Sequence, residues 1–305
     1  MTALELRWPG DADGPLALRR PRLGHISFLN CYPLYWSMTR TGLLTEVDLV
    51  RDSPEVLNSA LVDGLVDLGP IALAEYLRHS RELLLLPGIA IGCDGPVLSC
   101  NIVSKLPLKD LDGRTVALGS TSRTTIVLAR MLLEEQFGVR PDYVDSEPDL
   151  RVMLDRCDAA IIIGDVALRA YSGEAAALGA EVHDTGQLWK EWTGLPMVFA
   201  VWAVRREFAE RHPSLTELVH RALLDSRDHG LSEVEVVSRQ AARWERFTAE
   251  ELERYFRTLS YELSPEHVKG IREYARKASE RGFVPAEQDF TFFSGSLRPR
   301  LPGPR

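Results

Sequence analysis

His25-Ile26-Ser27-Phe28-Leu29-Asn30-Cys31-Tyr32-Pro33-Leu34-Tyr35-Trp36 is the stretch from which the fold can be worked out. Ile26 to Leu29 reads as the end of a short buried strand. Asn30 follows in a tight turn, and the fixed φ of Pro33 suits the first turn of a helix. In an open α/β sheet such a turn lies at the carboxyl edge of the strands, where ligands bind. The local sequence leaves two roles open for Asn30, a cap for the following helix or a contact to a ligand.

Moving outward, strand and helix patterns alternate. Val47 to Val50, Leu65 to Leu68, Leu83 to Leu86 and Val97 to Val103 read as strands. Pro33 to Arg40, Pro54 to Leu61 and Ile71 to His79 read as helices, the last started by Pro70 after a strand stopped at Gly69. This rhythm predicts a largely parallel sheet covered on both faces. It restarts after Leu111-Asp112-Gly113 with strands at Thr115 to Leu118, Tyr143-Val144 and Ala159 to Ile163. The helices of this half are Arg123 to Phe137, Asp149 to Arg156 and Val166 to Tyr171. Met197 to Val204 is a further strand. Beyond Pro213 the pattern is helical, with capped starts at Thr248-Ala249-Glu250-Glu251 and Ser264-Pro265-Glu266-His267.

The expected fold is α/β, with two lobes and a ligand cleft between them, and it resembles the type II periplasmic-binding-protein fold. Lobe 1 takes 21–103 and 197–290, and lobe 2 takes 104–196. A disordered arm (1–20) and a disordered tail (291–305) flank them. Hinge closure about a ligand is the motion such a clamp implies.

Composition narrows the function. The 305 residues are 45% hydrophobic and 26% charged, enough for two packed cores. A net charge of -8 argues against nucleic acid as the main partner, but not against a local anion site. Cys31, Cys93, Cys100 and Cys157 form no CxxC pair, as expected of reduced thiols in the cytoplasm. No histidine pattern suggests a metal, and no Walker loop or G-x-G-x-x-G suggests a nucleotide cofactor. No stretch approaches the about 18 apolar residues of a membrane span, and residues 1 to 20 lack the apolar core of a secretory signal. We therefore expect a cytoplasmic protein without cofactor or membrane partner.

Four helix starts, after Asn30, Gly69, Ser120 and Gly164, are expected at the carboxyl ends of strands, two in each lobe. Facing lobes would aim several positive helix ends into one cleft, as suits a carboxylate or phosphate. Ser120, Thr121 and Ser122 add hydroxyl donors, unless they serve only as an N-cap. On the strand leaving lobe 1, alternation puts Ser99 and Asn101 on one side. Ser99 lacks a nucleophile elbow or a histidine–acid partner, so it reads as a hydrogen-bond donor to an anion rather than a nucleophile. Asp165 reads as a helix cap before a general base, Glu75 as a solvated charge and His25 as structural. Trp189, Trp192 and Thr193-Gly194-Leu195-Pro196 could wall the cleft or belong to the core.

Ser27-Phe28-Leu29-Asn30, then Tyr32-Pro33-Leu34, is similar to the amino-terminal signature of the MqnA family, the chorismate dehydratases of the futalosine route to menaquinone. Gly64 to Ile71, Gly95 to Ser99, Ile163-Gly164-Asp165 and Thr193 to Ala200 extend the resemblance over residues 21 to 285. It implies that chorismate loses water to give 3-[(1-carboxyvinyl)oxy]benzoate, with Asn30 and Ser99 essential. Ser27, Ile71, Asn101, Ser120, Thr121, Ser122, Asp165, Thr193 and Gly194 complete the expected substrate contacts. A cytosolic solute sensor of the same fold remains an alternative. So does the sister enzyme, 1,4-dihydroxy-6-naphthoate synthase, which lacks the Ser-Phe-Leu-Asn turn.

Overall fold

The computed structural model describes residues 20–38, 47–119 and 123–295. Expected features in 1–19, at Ser120, Thr121 and Ser122, and in 296–305 lie outside the described residues.

Ten strands form two sheets of five. The first holds β1 (Arg22–Ile26), β2 (Asp48–Asp52), β3 (Leu68–Ala72), β4 (Leu83–Cys93) and β10 (Met197–Arg205), in the order β2-β1-β3-β10-β4. The second holds β5 (Cys100–Ser104), β6 (Thr115–Gly119), β7 (Asp142–Ser146), β8 (Ala159–Ile163) and β9 (Glu181–Asp184), in the order β7-β6-β8-β5-β9. In each sheet four strands point the same way, three of them paired side by side, and the strand that crosses between lobes is antiparallel to both its neighbours. The sheets are therefore mixed rather than largely parallel. A residue pattern encodes which face of a strand is buried but not the direction in which the strand is laid down.

Two strand expectations move. Gly69 and Pro70 do not stop the third strand; they lie inside β3, with Ile71 paired to Val201 in the sheet interior. A Cβ at Gly69 would come within 2.9 Å of Gly24 Cα, so glycine is what lets β1 and β3 approach. β5 pairs with β8 and β9, so residues 100–103 run in the second sheet rather than with the first. The chain near 291–295, expected to be tail, instead lies along β4: Leu85 N donates to Thr291 O and Phe293 N to Leu85 O, with Phe293 buried.

Helices cover the sheets. They are α1 (Tyr32–Tyr35), α2 (Pro54–Val62), α3 (Leu73–Arg78), α4 (Thr124–Met131), α5 (Leu150–Arg156), α6 (Gly164–Arg169), α7 (Ala175–Ala177) and α8 (Thr185–Thr193). α9 (Arg206–Arg211), α10 (Pro213–Ser232), α11 (Val234–Ala241), α12 (Ala249–Thr258) and α13 (Pro265–Glu280) follow β10. The sequence caps act as expected at α12, where Thr248 and Glu251 form a capping box, and at α13, where Ser264 accepts from His267 N. α4 runs on into a π-helical turn at Leu132–Gln136.

Side-chain alternation divides the second sheet's core. Ala160 and Ile162 of β8 pack on one face with Leu150 and Met153, and Ala159 and Ile161 on the other with Ala129 and Leu133. The core of the first sheet continues across the lobe boundary into Val127, Leu128, Met131 and Trp189. Among the described residues no helix is long and apolar enough to cross a membrane.

The turn after β1 is held from behind by α10. Ser226 Oγ donates to Leu34 O at 2.6 Å, Trp36 Nε1 donates to Glu233 Oε2 at 2.9 Å, and Ser37 meets His229. Gly230 faces Pro33 so closely that a Cβ would sit 1.9 Å from the Pro33 carbonyl oxygen. Backbone on both sides leaves no side chain to yield. Gly230→Ala should therefore destabilise the protein by about 2 kcal/mol through overpacking. An unchanged urea midpoint would show that α1 and α10 can separate freely.

Candidate functional site

The strand ends meet at one cavity of about 70 Å³ that opens to solvent. Asn30 and Cys31 come from the turn after β1, Ala72 from the end of β3, Thr124 and Thr125 from the start of α4, and Ile163 and Gly164 from the start of α6. All four expected helix-start regions thus reach the same space, the second displaced from Gly69 to Ala72. Ser99 and Cys100 enter where the chain crosses into the second sheet. Ile26, Phe28, Ile91, Phe199 and Trp202 supply an apolar wall. Arg123 is the one charged residue among the described lining residues.

The turn brings Asn30 to the wall with its Oδ1 buried and without a hydrogen-bond partner in the protein. A buried amide oxygen left unpaired costs about 1–3 kcal/mol, a cost that a bound donor would remove. Of the two roles open to Asn30, the helix cap is not made: neither the 3-10 turn Leu29–Cys31 nor α1 receives a side-chain cap. Leu29 N instead donates across the lobes to Asp165 Oδ1 at 3.2 Å.

Ser99 is buried and set by a carboxylate that the sequence reading passed over. Asp184 accepts from Val97 N and Leu98 N on one side and from Gly186 N and Gln187 N, at the start of α8, on the other. This holds Leu98 at φ 63°, a left-handed backbone that a leucine rarely adopts. The strand consequently begins only at Cys100, and alternation does not carry back to Ser99. Ser99 faces the cavity, whereas Asn101 turns away and donates to Leu98 O at 2.9 Å and Ala167 O at 3.0 Å. The Ser99 carbonyl accepts from Gly164 N at 2.8 Å, and the Ser99 hydroxyl accepts from Tyr255 of α12 at 2.8 Å. The Asp-Thr-Gly run 184–186 before α8 was the readable signal for the missed N-cap. Nothing local marks Tyr255.

Several expected contacts fall elsewhere. Ile71 is in the core of the first sheet, with Ala72 lining the cavity in its place. Ser27 is exposed and lines a separate surface depression with Arg51 and Trp244. Thr193 and Gly194 close α8: Thr193 Oγ1 donates to Trp189 O, and Gly194 is the left-handed C-cap at φ 73°. Trp189 is core, and Trp192 lies under Lys277, whose Nζ is 3.6 Å from the ring centroid. Asp165 stands beside the cavity, joined to Leu29, rather than in its lining. Glu75 pairs with Arg78 at 2.8 Å.

The surroundings suit binding and orientation. Burial drives the Cys31 thiol far up and Cys100 up to about 12, so neither is a thiolate nucleophile at neutral pH. Burial, with Arg51, lowers His25 to about 4; its ring packs edge-on to Tyr35 at 4.0 Å, outside the lining. At the mouth Arg123 Nη2 meets Glu55 Oε1 at 3.2 Å across the lobes, an exposed pair of little worth to stability. Thr124 also joins the lobes, accepting from Ala74 N at 3.1 Å through its hydroxyl and from the Tyr274 hydroxyl at 3.0 Å through its carbonyl. The second lobe's Gly164 has φ 67°, and a Cβ there would come within 2.9 Å of the Phe28 ring.

A family model described as menaquinone biosynthesis matches residues 21–280. A chorismate dehydratase of Thermus thermophilus is 31% identical over 265 residues, 83% of this chain and 93% of that protein. Protein AF1704 of Archaeoglobus fulgidus has a TM-score of 0.71 at 18% identity, with 87% of this chain and 98% of that one covered. The periplasmic aliphatic sulphonate binding protein SsuA of Escherichia coli has a TM-score of 0.63 at 17% identity, over 91% and 96%. The structural likenesses give the two-lobed periplasmic-binding-protein fold and no more. The sequence matches run over most of the chain, and on them it belongs to the MqnA family of menaquinone biosynthesis.

Proposed function

We propose that this protein is a chorismate dehydratase, a hydro-lyase that converts chorismate to 3-[(1-carboxyvinyl)oxy]benzoate and water. One observation carries the reading: Asn30, with an unpartnered amide oxygen, and Ser99 line the same apolar-walled cavity. Family membership supports it. In the reaction the ring loses its hydroxyl and the neighbouring proton and becomes aromatic. Aromatisation favours product, so the protein's task is to hold a dianion in the reactive geometry.

Ser99 would donate to a substrate carboxylate, and Asn30 would hold the ring hydroxyl in place through its free amide oxygen. As the C–O bond breaks, the proton taken from the neighbouring ring carbon passes to the hydroxyl oxygen, which leaves as water. Thr124, Thr125 and the start of α6 would surround developing charge in the ring. No carboxylate or imidazole occurs among the described lining residues, which supports proton removal by the substrate's own enolpyruvyl carboxylate. Asn30→Ala and Ser99→Ala should each lower kcat by about 10²-fold, on the scale of one lost transition-state hydrogen bond. Purified protein, chorismate and mass spectrometry of the product test this; near-normal turnover in both variants would overturn the residue roles. A protein that binds chorismate without forming the aromatic product would be a sensor instead.

Arg123 gives a separate expectation. As the one charged described residue in the lining, it would exchange Glu55 for a substrate carboxylate at the mouth. Arg123→Gln should raise KM about tenfold, the scale of one lost charged hydrogen bond, with little change in kcat. The wild-type KM should also rise with ionic strength more steeply than that of the variant. Equal salt dependence would remove Arg123 from binding.

Asp165 should reveal itself in stability. Burial pushes its carboxyl up to about 6, opposed by the Leu29 amide and reinforced by Glu245. In the unfolded chain it titrates near an ordinary value of about 3.9. The folded protein thus keeps a proton that the unfolded chain releases, and this contribution is lost as pH rises from about 4 through about 6. Asp165→Asn still offers Leu29 an acceptor. It should be more stable than wild type at pH 7.5, on the order of 2 kcal/mol, and no more stable near pH 3. A Tm difference independent of pH would refute this assignment.

A further inference from the structure

Tyr255 belongs to a helix that the sequence presents only as packing, yet its hydroxyl reaches the cavity wall. It stands on α12, is 1% exposed, and donates to Ser99 Oγ at 2.8 Å across 156 residues of chain. Leu252 and Phe256 bury the same helix face, and the Thr248–Glu251 box fixes its first turn, so the phenol is held on a rigid element. Tyr255 packs against Phe256 with ring centroids 5.7 Å apart.

A serine hydroxyl has one hydrogen and two lone pairs, and it rotates to suit its partners. With Tyr255 donating, one lone pair of Ser99 is taken from inside the protein. The serine's own hydrogen has only weak partners in the protein, Val97 O at 3.4 Å, at the outer limit of a hydrogen bond, and the sulfur of the neighbouring Cys100. A carboxylate in the cavity would take that hydrogen readily. Without the tyrosine hydroxyl, Ser99 could turn a lone pair towards the anion, the orientation that repels it. A donor behind a donor also polarises the O–H that faces the ligand. Burial, opposed only by the Ser99 bond, drives the Tyr255 phenol well above its usual 10, so it keeps its proton, and Ser99 Oγ at 2.8 Å is where that proton is directed.

We propose that Tyr255 is a positioning residue that commits the Ser99 hydroxyl to donating into the cavity. The proposal rests on Ser99 binding a carboxylate of chorismate, and it names what sets the direction of that bond. It also gives the carboxy-terminal helices a part in the site: α12 fixes the polarity of a residue at the lobe crossing.

Tyr255→Phe keeps the ring and removes only the hydroxyl. Steady-state kinetics with chorismate, and calorimetric binding of the product, should be measured for wild type, Y255F, S99A and the double variant. Y255F should lose about tenfold in kcat/KM and in product affinity, the effect of one hydrogen bond to a charged acceptor, with circular dichroism unchanged. In the S99A background the same substitution should have no further effect, because Tyr255 acts only through Ser99. A loss in Y255F that persists at full size in S99A would mark a merely structural role and overturn the proposal. So would wild-type kcat/KM and affinity in Y255F. If S99A itself matches wild type, or if the wild-type protein neither turns over chorismate nor binds the product, the parent reading of Ser99 fails and this proposal fails with it.

Discussion

Four backbone amides converge on the carboxylate of Asp184, and the geometry of the cavity depends on where they are pulled. Two belong to the segment that carries the chain from one sheet to the other, and two to the first turn of α8. A single half-buried carboxylate therefore joins a crossing to a helix start, satisfying donors that would otherwise be orphaned. The strain of a left-handed leucine is tolerated because both its own amide and that of Val97 end on this carboxylate. Ser99 inherits its direction from that turn. Thr185, next in sequence, donates to Cys100 O at 2.8 Å and ties the start of β5 to the same helix.

The two sides of the cavity are stabilised differently. The Asn30 side is braced from behind by α10 and the residue after it, through the close approach of Gly230 to Pro33 and hydrogen bonds to Leu34, Trp36 and Ser37. The Ser99 side is braced by polar groups: Asp184, the Asn101 amide and the Gly164 amide. Between them, cross-lobe hydrogen bonds from Leu29 to Asp165 and from Ala74 to Thr124 close the fold around the space. Some polarity is left unspent, as at Asn30 Oδ1, and it lies on the surface from which a ligand would be read.

What could be read from the residues alone follows the range of the physics involved. The turn at Asn30, the start of α6 at Gly164 and the capped starts of α12 and α13 are local effects of proline, glycine and hydroxyl side chains, and they were legible. The Gly69-Pro70 pair misled because its purpose is the approach of another strand, which a local breaker rule cannot contain. Asn101 was paired with Ser99 by alternation, which fails where Leu98 leaves the extended region. Ile71 was expected on a helix that begins two residues later, so its neighbour Ala72 took the cavity position. Tyr255 could not have been found, since only the folded chain brings it beside Ser99.

The glycine at 164 has a consequence for size. Phe28 stands where a side chain on that residue would be, so the aromatic ring rests directly on the first peptide of α6. The width of the cavity on this side is thus determined by an absent methyl group. Any larger residue at 164 would have to displace Phe28, itself a wall of the cavity, and so would change the shape of the space a ring-shaped ligand enters. Selection by shape, on this wall, comes from a missing atom rather than a contact.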